Sequence, residues 1–105
     1  MRRVIIESPY AGNVEANVKY ARECMRDSLS RGEAPIAAHL LYTQEGILDD
    51  LIPEEREAGI NAGLSWLGVC DVQVFYIDLG WSKGMFYAII AGLNARVKQE
   101  FRTIR

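Results

Sequence analysis

The sequence predicts an α/β domain on a short parallel sheet, and three observations predict it. Arg3–Glu7 and Asp71–Ile77 are short runs rich in β-branched and aromatic residues, and they read as buried strands. Longer segments with apolar residues three or four apart stand between the strand runs and read as helices. Loops carrying glycine lead from the first and third strands into the helices that follow. Strands alternating with helices imply parallel pairing with helices on the sheet faces. Right-handed crossovers then gather the strand-to-helix loops at one edge.

The elements follow in order. Ser8-Pro9 ends the first strand, and Ser8–Asn13 forms a loop. Asn13 is a suitable N-cap for a helix over Val14–Ser30, with Gly32 as its terminator. Val14, Val18, Ala21, Met25 and Leu29 are the expected buried face. Pro35–Leu40 reads as a short second strand, and Leu41–Ile52 as an irregular loop with at most one helical turn. Pro53 with Glu54 and Glu55 starts a helix that runs to about Leu67. Gly59 and Gly63 lie on one side of it, and a close approach to the sheet or to a second subunit is expected to compensate their cost. Asp71–Ile77 is the clearest strand. Ser82 caps a final helix over Lys83–Val97, and Gln99–Ile104 is a candidate edge strand. The expected strand order is 2-1-3-4, with room for a fifth strand.

Composition excludes several function classes. The chain has 105 residues, half of them apolar and a quarter charged, which fits one globular domain. A net charge of -2 argues against a general nucleic-acid binder, which needs a basic surface. Cys24 and Cys70 form no C-x-x-C pair and His39 is the only histidine, so a zinc-type metal site lacks ligands, and no cofactor is implied. Both thiols are expected to be buried and reduced. No apolar run reaches the ~20 residues that span a bilayer. The expected location is cytoplasmic. A chain this short buries a modest share of its surface, so a homo-oligomer is a natural expectation.

In an open α/β sheet the ligand site lies beyond the strand C-termini, where the winding direction reverses. For order 2-1-3-4, that places Ser8–Asn13 and Asp78–Gly84 at the site. Ser8, Gly12 and Asn13 from the first loop, and Ser82, Lys83, Gly84 and Met85 from the second, are candidate ligand contacts. Backbone N–H groups at a helix start attract a phosphate or carboxylate, and Lys83 adds charge. Caps and tight turns explain the same residues equally well. Tyr10, Tyr42 and Trp81 are loop aromatics that could stack on a base or anchor their loops. His39, at the end of the predicted second strand, is a candidate contact or a structural histidine. Asp78 directly after the third strand, and then Glu7 at the end of the first, are the candidate catalytic carboxylates.

Four segments occur in order: Ser8-Pro-Tyr-Ala-Gly-Asn13, Arg31-Gly-Glu-Ala-Pro35, Ala38-His-Leu-Leu-Tyr-Thr-Gln44 and Asp78-Leu-Gly-Trp-Ser-Lys-Gly-Met85. On these the chain resembles a small uncharacterised family of phages and actinobacteria, itself similar to the nucleoside 2-deoxyribosyltransferase-like superfamily. The resemblance implies a flavodoxin- or Rossmann-like three-layer sandwich and a nucleoside or nucleotide ligand. It would place the protein in the host cytoplasm if phage-encoded. It also implies sites completed across subunits. Transferases of this kind attack the anomeric carbon with a glutamate four residues after the loop glycine. Counted from Gly84 that position is Ala88, so the resemblance implies binding without deoxyribosyl transfer. The alternatives are an N-glycosidase using Asp78 or Glu7, and an oligomeric interaction protein with no small ligand.

Overall fold

Val4, Ile5 and Ile6 are almost wholly buried, because their strand is central and flanked on both sides. The computed structural model describes all residues, Met1–Arg105. Its elements are β1 (Arg3–Glu7), α1 (Val14–Ser30), β2 (Ala34–Ile36), α2 (Ala38–Leu41), α3 (Pro53–Leu64), a 3-10 turn (Ser65–Gly68), β3 (Val72–Tyr76), α4 (Lys83–Asn94) and β4 (Gln99–Arg102). The strands form one sheet in the order β2-β1-β3-β4, and every pair is parallel. Order and direction match the sequence expectation. There are four strands and no fifth.

Strand alternation assigns each side chain to a face. Val4, Ile6, Val72, Val74 and Tyr76 point to one face and pack against Tyr20 and Cys24 of α1. Phe75 points to the other and packs against Met85 and Ala88 of α4. Ile5, Glu7 and Gln73 share the Phe75 face by register, since Ile5 pairs with Gln73 and Glu7 with Phe75. The sheet is therefore covered on both sides. No helix is long and apolar enough to cross a membrane.

The helices differ from expectation in instructive ways. Asn13 does cap α1, its side chain accepting from Ala16 N at 3.3 Å. The buried face of α1, however, is Asn17, Tyr20, Ala21, Cys24 and Ser28, while Val14 and Leu29 are exposed. The polar members are satisfied. Asn17 donates to the carbonyls of Tyr10 and Ala11, and Ser28 donates to Glu33. A buried polar group with its partners costs little, so the helix rotates away from the purely apolar stripe.

The predicted strand Pro35–Leu40 splits. β2 stops at Ile36, and Ala38–Leu41 turns into helix, with the N–H groups of Leu40 and Leu41 on the Ala37 carbonyl. After Ile36 no β-branched residue holds the strand, and alanine and leucine favour helix. His39 thus sits on a helical turn. Gly59 and Gly63 of α3 approach α2 and the loop after it, at Ala38, Tyr42 and Leu48, and not the sheet. A Cβ at Gly63 would lie 2.8 Å from Ala38 Cβ, so the glycines let α2 nest against α3. The helix from Pro53 ends at Leu64, and the final helix ends at Asn94, where Arg96 takes φ 58° and Val97 N returns to the Gly92 carbonyl. Cys24 is buried, whereas Cys70 is only half-buried beyond the 3-10 turn.

One buried ion pair ties the sheet edges together. Arg102 of β4 binds Glu33 through both terminal nitrogens, at 2.7 and 2.8 Å. Ser28, Arg2, Tyr76 and Glu100 complete the network. The Arg102 guanidinium holds the Glu33 carboxyl down to about 2, against the opposing effect of burial.

Candidate functional site

Beyond the C-terminal end of β1, between the sheet and helices α3 and α4, lies a cavity of about 460 Å³. That is within the range of small-molecule sites. Strand alternation explains its location: the odd-numbered positions of β1 face α3 and α4, so Ile5 and Glu7 supply part of its lining. Gly59, Ile60 and Gly63 of α3 line another part, and Met85, Tyr87 and Ala88 of α4 a third. Tyr10 and Gly12 come from the first loop, and His39 and Tyr42 from α2 and its C-terminal end. Ser82, Lys83 and Gly84 bring the start of α4 to the same space.

Glu7 is the carboxylate at the strand end. Its Oε2 accepts a hydrogen bond from Gln73 Nε2 at 2.8 Å. Burial pushes its pKa up to about 7, with the Gln73 bond acting in the opposite sense. The group is therefore poised to give or take a proton at neutral pH, the property an acid/base catalyst needs. Ser8, which is buried, has its Oγ 2.7 Å from His39 Nε2. Burial lowers the His39 pKa to about 4, so the ring is neutral at pH 7. A neutral imidazole can exchange hydrogen bonds with Ser8 and a ligand without bringing charge into the cavity.

The loop before α4 is organised by its own cap. Ser82 Oγ accepts from Met85 N at 3.2 Å, leaving Lys83 and Gly84 at the exposed first turn. The dipole and free N–H groups of this turn favour an anion. Tyr10 meets the His39 ring edge-on at 6.5 Å between centroids. Tyr42 Oη accepts from Trp66 Nε1 at 3.0 Å, which fixes one edge of its ring.

Of the residues singled out in the sequence, Glu7, Ser8, Tyr10, Gly12, His39, Tyr42, Ser82, Lys83, Gly84 and Met85 come together around the cavity. Three do not. Asn13 is an exposed helix cap. Trp81 packs instead on Phe75, Phe86 and Phe101, with centroids 5.4 to 5.8 Å apart. Asp78 was expected to point toward the site, but its side chain turns to the α1 face. There it accepts from Tyr20 Oη at 2.5 Å, Ile104 N at 3.0 Å and Arg105 N at 2.8 Å. Burial alone would raise its pKa; these donors hold it below the ordinary carboxylate value. The sequence carried the signal for this correction: Asp78 has the parity of Val74 and Tyr76, and Glu7 that of Ile5. Gln73, Arg56 and Tyr87 were missed. For Gln73 the available signal was a polar residue inside an otherwise apolar strand.

With the geometry in place, comparison with known proteins decides the family. A family profile described as a domain of unknown function, DUF7768, matches residues 2–102. The chain belongs to the DUF7768 family. No curated protein matches it in sequence. Among solved structures, this DUF7768 domain is similar to a 2-deoxyribosyltransferase from Bacillus psychrosaccharolyticus. The TM-score is 0.66 and the identity 16%, over 96% of this chain and 72% of that one. It is also similar to the CMP N-glycosidase of Clostridium botulinum, with TM-score 0.55 and 13% identity over 97% and 69% of the two chains. A third likeness is to a 2-deoxyribosyltransferase from Leishmania mexicana, with TM-score 0.58 and 12% identity over 100% and 66%. At these identities the likeness establishes a shared fold. The DUF7768 domain thus has the deoxyribosyltransferase-like fold that its loop motifs resembled.

Proposed function

We propose that the cavity binds a nucleoside or nucleotide. The observation that carries this reading is one space combining a proton-exchanging carboxyl, Glu7, two tyrosines and a helix start. The base stacks near Tyr10 or Tyr42, and a phosphate, where present, lies at Ser82–Gly84. Neighbours of the same fold named as deoxyribosyltransferases and a CMP N-glycosidase support this ligand class. Ala88 lines the cavity at the position where the resemblance implies the transferase glutamate. Binding without deoxyribosyl transfer follows.

A second reading rests on Glu7 alone. A carboxylic acid half-protonated near pH 7 can protonate a departing base nitrogen while water adds to the anomeric carbon. The C–N bond breaks, the Glu7 proton goes to the base, the water hydroxyl stays on the sugar, and the water's other proton restores the acid form of Glu7. This is N-glycosidase chemistry without a covalent intermediate. Asp78, bound on the opposite face of the sheet, has no place in it.

Heat-stability measurements against a panel of nucleosides and nucleotides, with the mixtures then separated by chromatography, test both readings. Stabilisation with ligand recovered intact supports binding. Release of free base, lost in Glu7→Gln, supports hydrolysis. No stabilisation by any member of the panel sinks the nucleotide assignment.

The same proposal includes self-association. Phe86, Tyr87, Ile90 and Leu93 lie on the outer side of α4 and are 55% to 68% exposed. With Trp81 and Phe101 they form a contiguous exposed apolar surface of the kind that marks an association site. No charged side chain interrupts that stripe of α4, which suits a second copy of the same surface. Tyr87 also lines the cavity, so a partner here would border the ligand. Sedimentation should show a dimer that Ile90→Glu converts to monomer; a monomeric parent protein would refute it. Two free cysteines fit a reducing compartment, consistent with a cytoplasmic setting.

A further inference from the structure

A glutamine lies in the middle of a buried parallel strand, where an apolar residue would be ordinary. Gln73 has no exposed surface, and both of its amide N–H donors and its amide oxygen are hydrogen-bonded. Nε2 donates to Glu7 Oε2 at 2.8 Å and to the Ala88 carbonyl at 3.0 Å. Oε1 accepts from Gln99 Nε2 at 2.9 Å, and that nitrogen also donates to the Ile89 carbonyl at 3.0 Å. Gln73 and Gln99 are register partners on β3 and β4.

The direction of this chain is fixed at both ends. Backbone carbonyls of α4 can only accept. Rotating the Gln73 amide would set its oxygen against the Ala88 carbonyl and the Glu7 carboxyl together. Rotating Gln99 would do the same against Ile89. Gly92 makes the arrangement sterically feasible: a Cβ there would collide with Gln73 Oε1 and stand 2.6 Å from Gln99 Nε2. The glycine inside α4 is therefore matched to two glutamines on the neighbouring strands β3 and β4.

Glu7 Oε2 consequently faces an N–H in either protonation state and is a poor place for a proton. Glu7 Oε1 has no hydrogen-bond partner in the protein. No buried side-chain oxygen of the structure lacks a partner, so Oε1 is open to the cavity that Glu7 lines. We infer that Gln73 is a positioning residue: its locked amide holds Oε2 as an acceptor and presents the Glu7 proton on Oε1, toward a hydrogen-bond acceptor of the ligand. This rests on the nucleoside reading only for what the acceptor is. A ring or glycosidic nitrogen of a base, or a sugar oxygen, has that chemistry. The proton moves from Oε1 to the acceptor, and the carboxylate left behind is stabilised on Oε2 by Gln73.

The other ionisable groups that share this cavity or couple to Glu7 are Tyr10 from the first loop, His39 and Tyr42 from α2 and its C-terminal end, Asp50 from the loop before α3, Glu55 and Arg56 from α3, Lys83 and Tyr87 from α4, and Cys70 beside β3. None of them makes a hydrogen bond to Glu7. The amide of Gln73 does, and it favours the ionised carboxylate.

The test uses the ligand-free protein and nuclear magnetic resonance. The Glu7 side-chain carboxyl carbon and the Gln73 side-chain amide protons are followed from pH 4 to 9. One Gln73 amide proton should shift with the same midpoint as the Glu7 carbon. In Gln73→Met the Glu7 midpoint should rise by about one pH unit, a tenfold gain in proton affinity. A Gln73 amide indifferent to the Glu7 titration overturns the inference, as does an unmoved midpoint in a folded Gln73→Met protein. If that variant does not fold, the amide titration of the parent protein decides alone. Failure of the nucleoside reading would appear separately, as a panel without stabilisation beside an intact Glu7–Gln73 titration.

Discussion

Replacing Glu7 by glutamine should stabilise the protein, and by an amount that depends on pH in a defined direction. The folded carboxyl has its pKa raised from an ordinary 4.5 to about 7 by burial. A raised folded pKa means that the neutral form is favoured in the fold. The stability it allows is fully present below pH 4.5 and is lost as pH rises through 7. At about 1.4 kcal/mol for each tenfold change in proton affinity, the loss reaches about 3 kcal/mol at pH 9. Glutamine is nearly isosteric, never ionises, and offers Gln73 an acceptor oxygen. The difference between Glu7→Gln and the parent should therefore grow by about 3 kcal/mol between pH 4 and pH 9. Urea unfolding of both proteins at the two pH values, at one protein concentration, measures it. Effects of His39 and other groups common to both proteins cancel in the difference. A difference independent of pH would show that Glu7 ionises in the fold without penalty, and the acid/base role built on it would fall.

Other predictions follow from the same contacts. Asp78→Asn should destabilise by about 1–3 kcal/mol, because it weakens the bonds to Tyr20, Ile104 and Arg105, while ligand-induced stabilisation stays unchanged. Loss of that stabilisation would return Asp78 to the site. Arg102→Met should cost about 3–5 kcal/mol at pH 7 by leaving Glu33 buried without its main partner. Because the Glu33 pKa is depressed to about 2, this contribution is present above pH 4.5 and lost as pH falls toward 2. The deficit measured by urea unfolding should shrink over that window. Gly63→Ala should destabilise by about 1 kcal/mol, since the clash with Ala38 outweighs the helix-propensity gain. A thermal melt above the parent's would refute the tight α2–α3 contact.

Much of the fold was legible because local chemistry encodes it. The β-branched run of β1, the Asn13 cap, Pro53 and the Ser82 cap each act within a few residues, so their elements lie where the sequence placed them. The strand order is the expected 2-1-3-4, and right-handed crossovers account for the strand-to-helix loops meeting at one edge. The second strand was misread past Ile36 because Ala-His-Leu-Leu has no periodicity long enough to show helix. The buried face of α1 was misread because Asn17, Tyr20 and Ser28 are polar, and their partners at Tyr10, Asp78 and Glu33 lie elsewhere in the chain.

The loops that form the site were readable from glycine, proline and capping chemistry, which are local. Which carboxylate enters the cavity was not read, although strand parity held the answer: Glu7 inward, Asp78 toward α1. Gln73 showed in the sequence only as a polar residue in an apolar strand, and Gln99 and Gly92 look ordinary alone. Their meaning arises only when β3, β4 and α4 are brought within hydrogen-bonding distance. The sequence by itself determined the layers and the edge where the candidate site lies. Only the tertiary structure decided which face of the sheet holds the cavity and which amide bonds the carboxyl there, because burial and long-range hydrogen bonds exist only once the chain has packed.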